Sequence, residues 1–171
     1  MQVTGTVHAQ SARPRYRHTF RKPSGSPIEF VSREVTEGDH NFIYSSYLKS
    51  FRRGHPMVWV PHALYFKPQA SILARLLRQA DVRVACFPED PTEILGYIVY
   101  QHVPDALVLH YVYTKLHGRG VGLKLLRSVA GDEKLIIATH MCDDYGVLRE
   151  KVSPMTVRYD PYLLSRLAAD G

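Results

Sequence analysis

Apolar positions recur at two different spacings along the chain, and the changes from one spacing to the other mark its elements. Residues 28–33 (Ile-Glu-Phe-Val-Ser-Arg) are rich in β-formers and read as a short strand. Capping residues at 36–40 precede Phe42, Ile43, Tyr47, Leu48 and Phe51, whose helical spacing predicts a helix ending before Gly54. Residues 55–62 are bracketed by prolines and predict a loop or brief extended piece. They carry the single tryptophan, Trp59. Ile72, Leu73, Leu76 and Leu77 form the apolar stripe of a helix over 68–79, with Pro68 in its first turn.

Strands then follow closely at 81–87, 94–100 and 106–113, separated by turns at 88–92 and 104–105, so an antiparallel meander is expected. A glycine-rich turn leads into a helix reaching about Ala130. Residues 134–139 form an apolar strand that should run parallel to its predecessor, across that helix. A short helix at 145–151, a strand at 155–159 and a terminal helical turn at 163–169 complete the order. There is no internal repeat.

Charge changes the picture mainly at the beginning. The chain of 171 residues has a net charge of +6. Arg13, Arg15, Arg17, Arg21 and Lys22 precede Ile28 with no acidic residue among them, which leaves 17 basic against 16 acidic residues beyond. Residues 1–26 therefore read as a basic, proline-interrupted tail that contacts nucleic acid weakly or is simply solvated. Residues 27–171 read as a single domain. No apolar run approaches a membrane span and the N-terminus lacks a secretory core, so cytoplasmic residence is expected, with no membrane association. Cys86 and Cys142 make neither a disulfide framework nor a metal site.

The chemistry concentrates at 110–126. His110 and the strand around Val112 run into Gly118, Gly120 and Gly122, with Arg119 between, and then into Leu123, Leu125 and Leu126. Glycines let backbone approach a phosphate, and the unpaired N–H groups of a helix's first turn point at it. No Lys-Ser/Thr pair follows the glycines, which excludes a P-loop. The preceding antiparallel strands exclude a dinucleotide fold of parallel units.

This element order resembles the GCN5-related N-acetyltransferase (GNAT) fold: an α/β (α+β) architecture whose mixed, mostly antiparallel sheet carries helices on both faces. The resemblance is sharpest at Tyr111-Val-Tyr113 followed by His117-Gly-Arg-Gly-Val-Gly122, where His117 replaces the family's Gln or Arg. The chain also looks like small members found in phage and prophage. The resemblance implies acetyl-CoA as cofactor. Arg119, Gly120, Val121 and Gly122 would hold its pyrophosphate through their N–H groups, with His117 and Gly118 in the same turn. The backbone of Tyr111, Val112 and Tyr113 would pair with its pantetheine arm.

The resemblance further implies acyl transfer to an amine of a small molecule or protein. His110 and His140 are candidate bases and Tyr145 a candidate acid, one helical turn earlier than the family's tyrosine. Thr139, Cys142, Asp143 and Asp144 lie at the same place. Tyr44, Ser45, Tyr47, Trp59, Tyr65 and Gln69 are candidates for the acceptor site. Two further readings come with the resemblance: a phage-type enzyme that modifies a nucleobase, and an acyl-CoA-binding homologue without catalysis.

Overall fold

The computed structural model describes residues 29–53, 56–140, 149–163 and 166. Six strands form one mixed sheet in chain order: β1 (Val31–Glu34), β2 (Asp81–Cys86), β3 (Ile94–Val103), β4 (Ala106–Thr114), β5 (Leu135–Ala138) and β6 (Thr156–Tyr159). The first four pair antiparallel, while β4–β5 and β5–β6 pair parallel. The expected meander is β2–β3–β4, and the expected parallel crossover is β4 to β5. β1 starts at Val31 rather than at residue 28, because its partner β2 ends at Cys86, opposite Val31. β3 runs on to Val103 because β4 begins opposite it at Ala106. The two-residue turn between them needs a left-handed residue, and Asp105 supplies it with φ 62°.

The helices divide between the faces. α1 (His40–Arg53) and α2 (His62–Gln79) bury Ile43 and Leu76 against Val82, Val84, Tyr97 and Val99. α3 (Val121–Ala130) buries Val121, Leu125, Leu126 and Val129 against Leu95, Ile98, Leu107 and Leu109. Two sequence expectations are corrected here. Residues 56–59 form a 3-10 turn, not an extended piece, closed by Val60 N–H donating to Met57 O at 3.1 Å. α2 starts six residues before Pro68, which sits inside it. Its first turn is held by Leu64 and Tyr65 N–H groups on the Pro61 carbonyl. Buried Tyr65, whose hydroxyl donates to Leu48 O at 2.8 Å, ties that turn to α1. This tertiary anchor outweighs the one helical bond that Pro68 cannot donate.

At the other end, Arg33 on β1 grips Asp39 with both guanidinium branches, at 2.6 and 2.9 Å. Asp39 also accepts from Thr36 N–H and Oγ1, at 2.7 and 2.8 Å. Arg33 holds the Asp39 carboxyl well below the usual carboxylate range. The sheet edge and the start of α1 are thereby one unit.

Candidate active site

β4 and β5 separate at one point. Their register runs Leu107–Ile136, Val108–Ile137 and Leu109–Ala138, and the last bond is Thr139 N–H to Leu109 O at 3.0 Å. On its other side β4 stays paired with β3 out to Thr114 opposite Gly96. Beyond Leu109 the bridges between described residues of β4 and β5 stop while those to β3 continue, and the notch is this end of the two parallel strands.

The separation starts at a β-bulge. Tyr100 faces Leu109 and Val99 faces Tyr111, so His110 is the extra residue. The bulge inverts the alternation of β4. Leu107 and Leu109 pack toward α3; beyond His110 it is Val112 that does so, while Tyr111 and Tyr113 turn toward α1.

His110 is 1 % exposed and both of its ring nitrogens are engaged. Nε2 lies 2.8 Å from Gln101 Oε1 and Nδ1 lies 3.0 Å from Thr139 Oγ1. Thr139 Oγ1 is also 2.9 Å from His140 Nδ1, and His140 Nε2 is 3.3 Å from the Tyr47 hydroxyl. One group outside the chain of contacts sets every proton in it. Gln101 Nε2 donates to the Gln79 carbonyl at 2.8 Å, so Oε1 must face His110. His110 therefore carries its proton on Nε2 and accepts at Nδ1 from the Thr139 hydroxyl. That hydroxyl has no second proton, so His140 must donate to it from Nδ1. His140 Nε2 is left as the basic lone pair, and Tyr47 O–H points at it. This proton order is an inference from the donor inventory of each group.

Burial keeps both imidazoles neutral. It pulls His110 down to about 3, with neighbouring His140 adding to the effect, and His140 down to about 4. Burial also pushes the Tyr47 and Tyr97 phenols well above their ordinary range. Around the notch, Tyr47 stacks on Phe51 at 5.5 Å and meets Tyr111 edge-on at 4.7 Å. Phe51 lies 5.3 Å from the His140 ring. Ser50 Oγ and the Tyr111 hydroxyl are 2.7 Å apart.

The glycine-rich turn closes the other end of the splayed segment. Gly118 and Gly120 take φ 75° and 77°, and Gly120 caps α3 with no side-chain hydrogen bond to the first turn. A Cβ on Gly120 would meet nothing within 4 Å. Gly122 faces the other way: a Cβ there would lie 3.2 Å from Val112 Cγ1 and Thr114 Cγ2. Its absence seats the start of α3 directly on the splayed part of β4. Gly96 does the same from β3, since a Cβ there would lie 2.5 Å from the Tyr113 carbonyl oxygen. His117 is exposed. No acidic side chain occupies the first turn of α3, so the site suits an anion.

The structure thus joins His110, Thr139 and His140, and places Tyr111, Val112, Tyr113 and the 117–122 turn along one strip. Tyr145, Cys142, Asp143 and Asp144 lie outside the described residues. The acceptor candidates are spread over several elements. Ser45 is exposed on the first half of α1 and bonds back to Phe42 O at 3.2 Å, beside half-buried Tyr44. Trp59, 85 % exposed, stands after the opposite end of α1, and Gln69 is half-buried on α2. Tyr47 is fully buried and acts through its hydroxyl on His140. Sequence reasoning missed Gln101, Gln79, Ser50 and Gly96. Their only local signal is a polar or missing side chain in an apolar run, and that does not say where it points. Among the described residues no group of three or more His, Cys, Asp and Glu is placed to hold a metal. No described helix is long and apolar enough to cross a membrane.

No protein-family model matches the sequence, and no curated protein matches it either. Solved structures do. One from Pyrococcus furiosus, described as an acetyltransferase, superposes with TM-score 0.59 at 16 % identity, over 76 % of this chain and 95 % of that one. An acetyltransferase-like protein of Clostridium difficile gives 0.52 at 12 % identity, over 77 % and 93 %. A Clostridium acetobutylicum protein, described as an acetyltransferase with acetyl-CoA, gives 0.52 at 12 % identity, over 73 % and 89 %. Mixed sheet, splayed β4–β5 and glycine turn together place this chain in the GCN5-related N-acetyltransferase fold.

Proposed function

We propose that this protein is an acetyl-CoA-dependent N-acetyltransferase acting on an amine of a small molecule or protein. One observation carries the reading: the distance between the notch and the anion site. From Leu109 to Thr114 the strand advances about 13 Å, since the partner strand covers that span in the steps from Tyr100 to Gly96, and an extended pantetheine arm would lie along it. At one end is the N-terminus of α3, with no acidic residue in its first turn and suited to the pyrophosphate. At the other is His140, whose Nε2 lone pair faces the Tyr47 hydroxyl. Between them runs the part of β4 beyond its last described bridge to β5, whose backbone would pair with the arm's amides.

Bound acetyl-CoA would supply an activated thioester. The amine nitrogen attacks the acyl carbon, the C–N bond forms, and the C–S bond breaks. His140 Nε2 takes the proton from the attacking nitrogen as its acidity rises. The long contact from Tyr47 is a weak competitor that yields to a closer N–H donor. His110 is enclosed and both its nitrogens are committed, so its role is to position His140 through Thr139. Tyr145, one helical turn before the position of the family's tyrosine, is the candidate donor to the departing thiolate. His117 would stand beside the pyrophosphate in place of the family's Gln or Arg.

The test is a screen of amines, amino acids and peptides with labelled acetyl-CoA, preceded by calorimetric titration of acetyl-CoA into the protein. Saturable binding, tightened by His117→Arg, and label transfer to an amine class support the reading. Absence of acetyl-CoA binding at millimolar concentration overturns it.

A further inference from the structure

A second cluster lies at the C-terminal end of α1. Lys49, Arg52 and Arg53 are three and four residues apart and share one side of the helix. With Val58 and Phe66 they line a cleft of about 410 Å³. The Arg52 guanidinium lies over the Phe66 and Tyr65 rings, at 5.5 and 5.7 Å. Exposed Trp59 adjoins Val58 in the chain. Cationic groups and flat apolar surface thus converge on one opening.

Three observations indicate that this charge awaits a ligand. Among the described residues, none of the three cations forms an ion pair with a carboxylate. Arg52 has one long contact, from Nη2 to Val60 O at 3.4 Å, while its Nε is buried with no hydrogen-bond partner. From His40 to Ala80 the sequence holds six Lys and Arg residues and no Asp or Glu. The carbonyl end of α1 favours a cation in its last turn. That accounts for Arg52 and Arg53 but not for an absence of counter-charge over both helices.

We propose that this cleft binds a small organic anion: a carboxylate or phosphate group on an apolar or aromatic body. The anion would meet Lys49, Arg52 and Arg53, and the body would lie against Val58, Phe66 and Trp59. The volume suits a molecule of amino-acid size rather than a folded partner. The same turn of α1 that sends Arg52 into the cleft sends Phe51 against His140. If the transferase reading above holds, on which this step rests, the ligand is the acceptor itself, an amine that also bears an acidic group.

The single tryptophan makes the test direct. The full chain is titrated with 3-phenylpropionate, phenyl phosphate and neutral 3-phenylpropanamide, following Trp59 fluorescence and heat. Each acid is expected to bind about tenfold or more tightly than the amide, with affinity falling as salt rises. The stronger of the two acids identifies the anionic group. Equal binding of acid and amide, or no saturable binding of either acid, overturns the proposal.

Lys49→Gln with Arg53→Gln, both exposed positions, should abolish the acid preference while leaving the circular-dichroism melt in place. An unchanged preference overturns it. A short single-stranded oligonucleotide that binds more tightly than either acid, and loses that binding in the double variant, overturns the small-acid occupant in favour of nucleic acid. Acid binding without acetyl transfer to phenylalanine would refute the acceptor role and keep the cleft. Absence of acetyl-CoA binding would refute the transferase reading alone.

Discussion

Tyr47 on α1 and His140 just beyond β5 stand 93 residues apart in sequence, yet the tyrosine hydroxyl lies 3.3 Å from Nε2 of the histidine. The direction of that bond is fixed from the C-terminal end of α2, by Gln79 and Gln101 acting through His110 and Thr139. A base is thus oriented by groups that never reach the notch. Separate variants can therefore distinguish the base from the groups that position it.

Removing the base should leave binding intact. His140→Ala is expected to lower kcat by about 10²–10³-fold with little change in acetyl-CoA affinity measured by calorimetry. Tyr47→Phe should cost less, because it removes only the weak contact to Nε2. Equal losses in the two variants would argue against His140 as proton acceptor.

Gln101→Leu should act at a distance. It leaves the buried His110 Nε2–H without an acceptor, at a cost of about 1–3 kcal/mol, read as a lower urea midpoint. The freed His110 can then adopt the other tautomer and reverse the Thr139 hydroxyl. His140 Nδ1 would then become the acceptor, and Nε2 would carry the proton. Activity should fall further than the loss of stability explains. Gln101→Glu keeps an acceptor at that place and should restore part of kcat.

The pH dependence has a definite sign. His110 and His140 titrate near 3 and 4 when folded, against about 6.5 in the unfolded chain. Their burial costs nothing above pH 6.5, where both states are neutral. As pH falls from 6.5 toward 4 the unfolded chain binds protons that the folded one does not, so stability is lost. For His110 the loss approaches about 1.4 kcal/mol per pH unit, and His110→Gln should flatten the slope of urea midpoint against pH in that window. Activity should persist below pH 6, unlike that of an enzyme whose base is an exposed histidine.

Gly96→Ala should weaken acyl-CoA binding without touching the cofactor. The new methyl group would sit 2.5 Å from the Tyr113 carbonyl, which is backbone and cannot swing aside. β4 would have to shift along the proposed pantetheine strip. A lower melting temperature together with a raised acetyl-CoA Kd is expected. Gly120→Ala meets open space but places a side chain at φ 77°, so its cost should be conformational, about 1 kcal/mol.

How much of this was legible in the sequence follows from the range of each interaction. The meander of β2 to β4, the glycine turn and the α3 stripe come from local periodicity and stand where the sequence puts them, except that β3 runs on from Tyr100 to Val103. The start of α2 does not, because Pro68 is a strong local signal and the Tyr65 anchor to Leu48 is not local at all. His110 and His140 are visible as polar residues at strand ends, but alternation alone would put His110 on one face with Val108 and Val112. The bulge between Val99 and Tyr100's partners has no periodic signature. Gln101 and Tyr47 acquire their roles only from what lies opposite, which neither spacing nor composition encodes.

The bulge at His110 also sets where the chain can tolerate a change of length. Residues before it and after it belong to opposite layers by parity. Loss of Val112 would invert the residues that follow it, turning Tyr113 toward α3 and out of the aromatic cluster under α1. The loop at 88–93 joins β2 and β3 on the surface and carries no such phase. Insertions should accumulate harmlessly there, while a single insertion next to His110 should separate a folded protein from a working one.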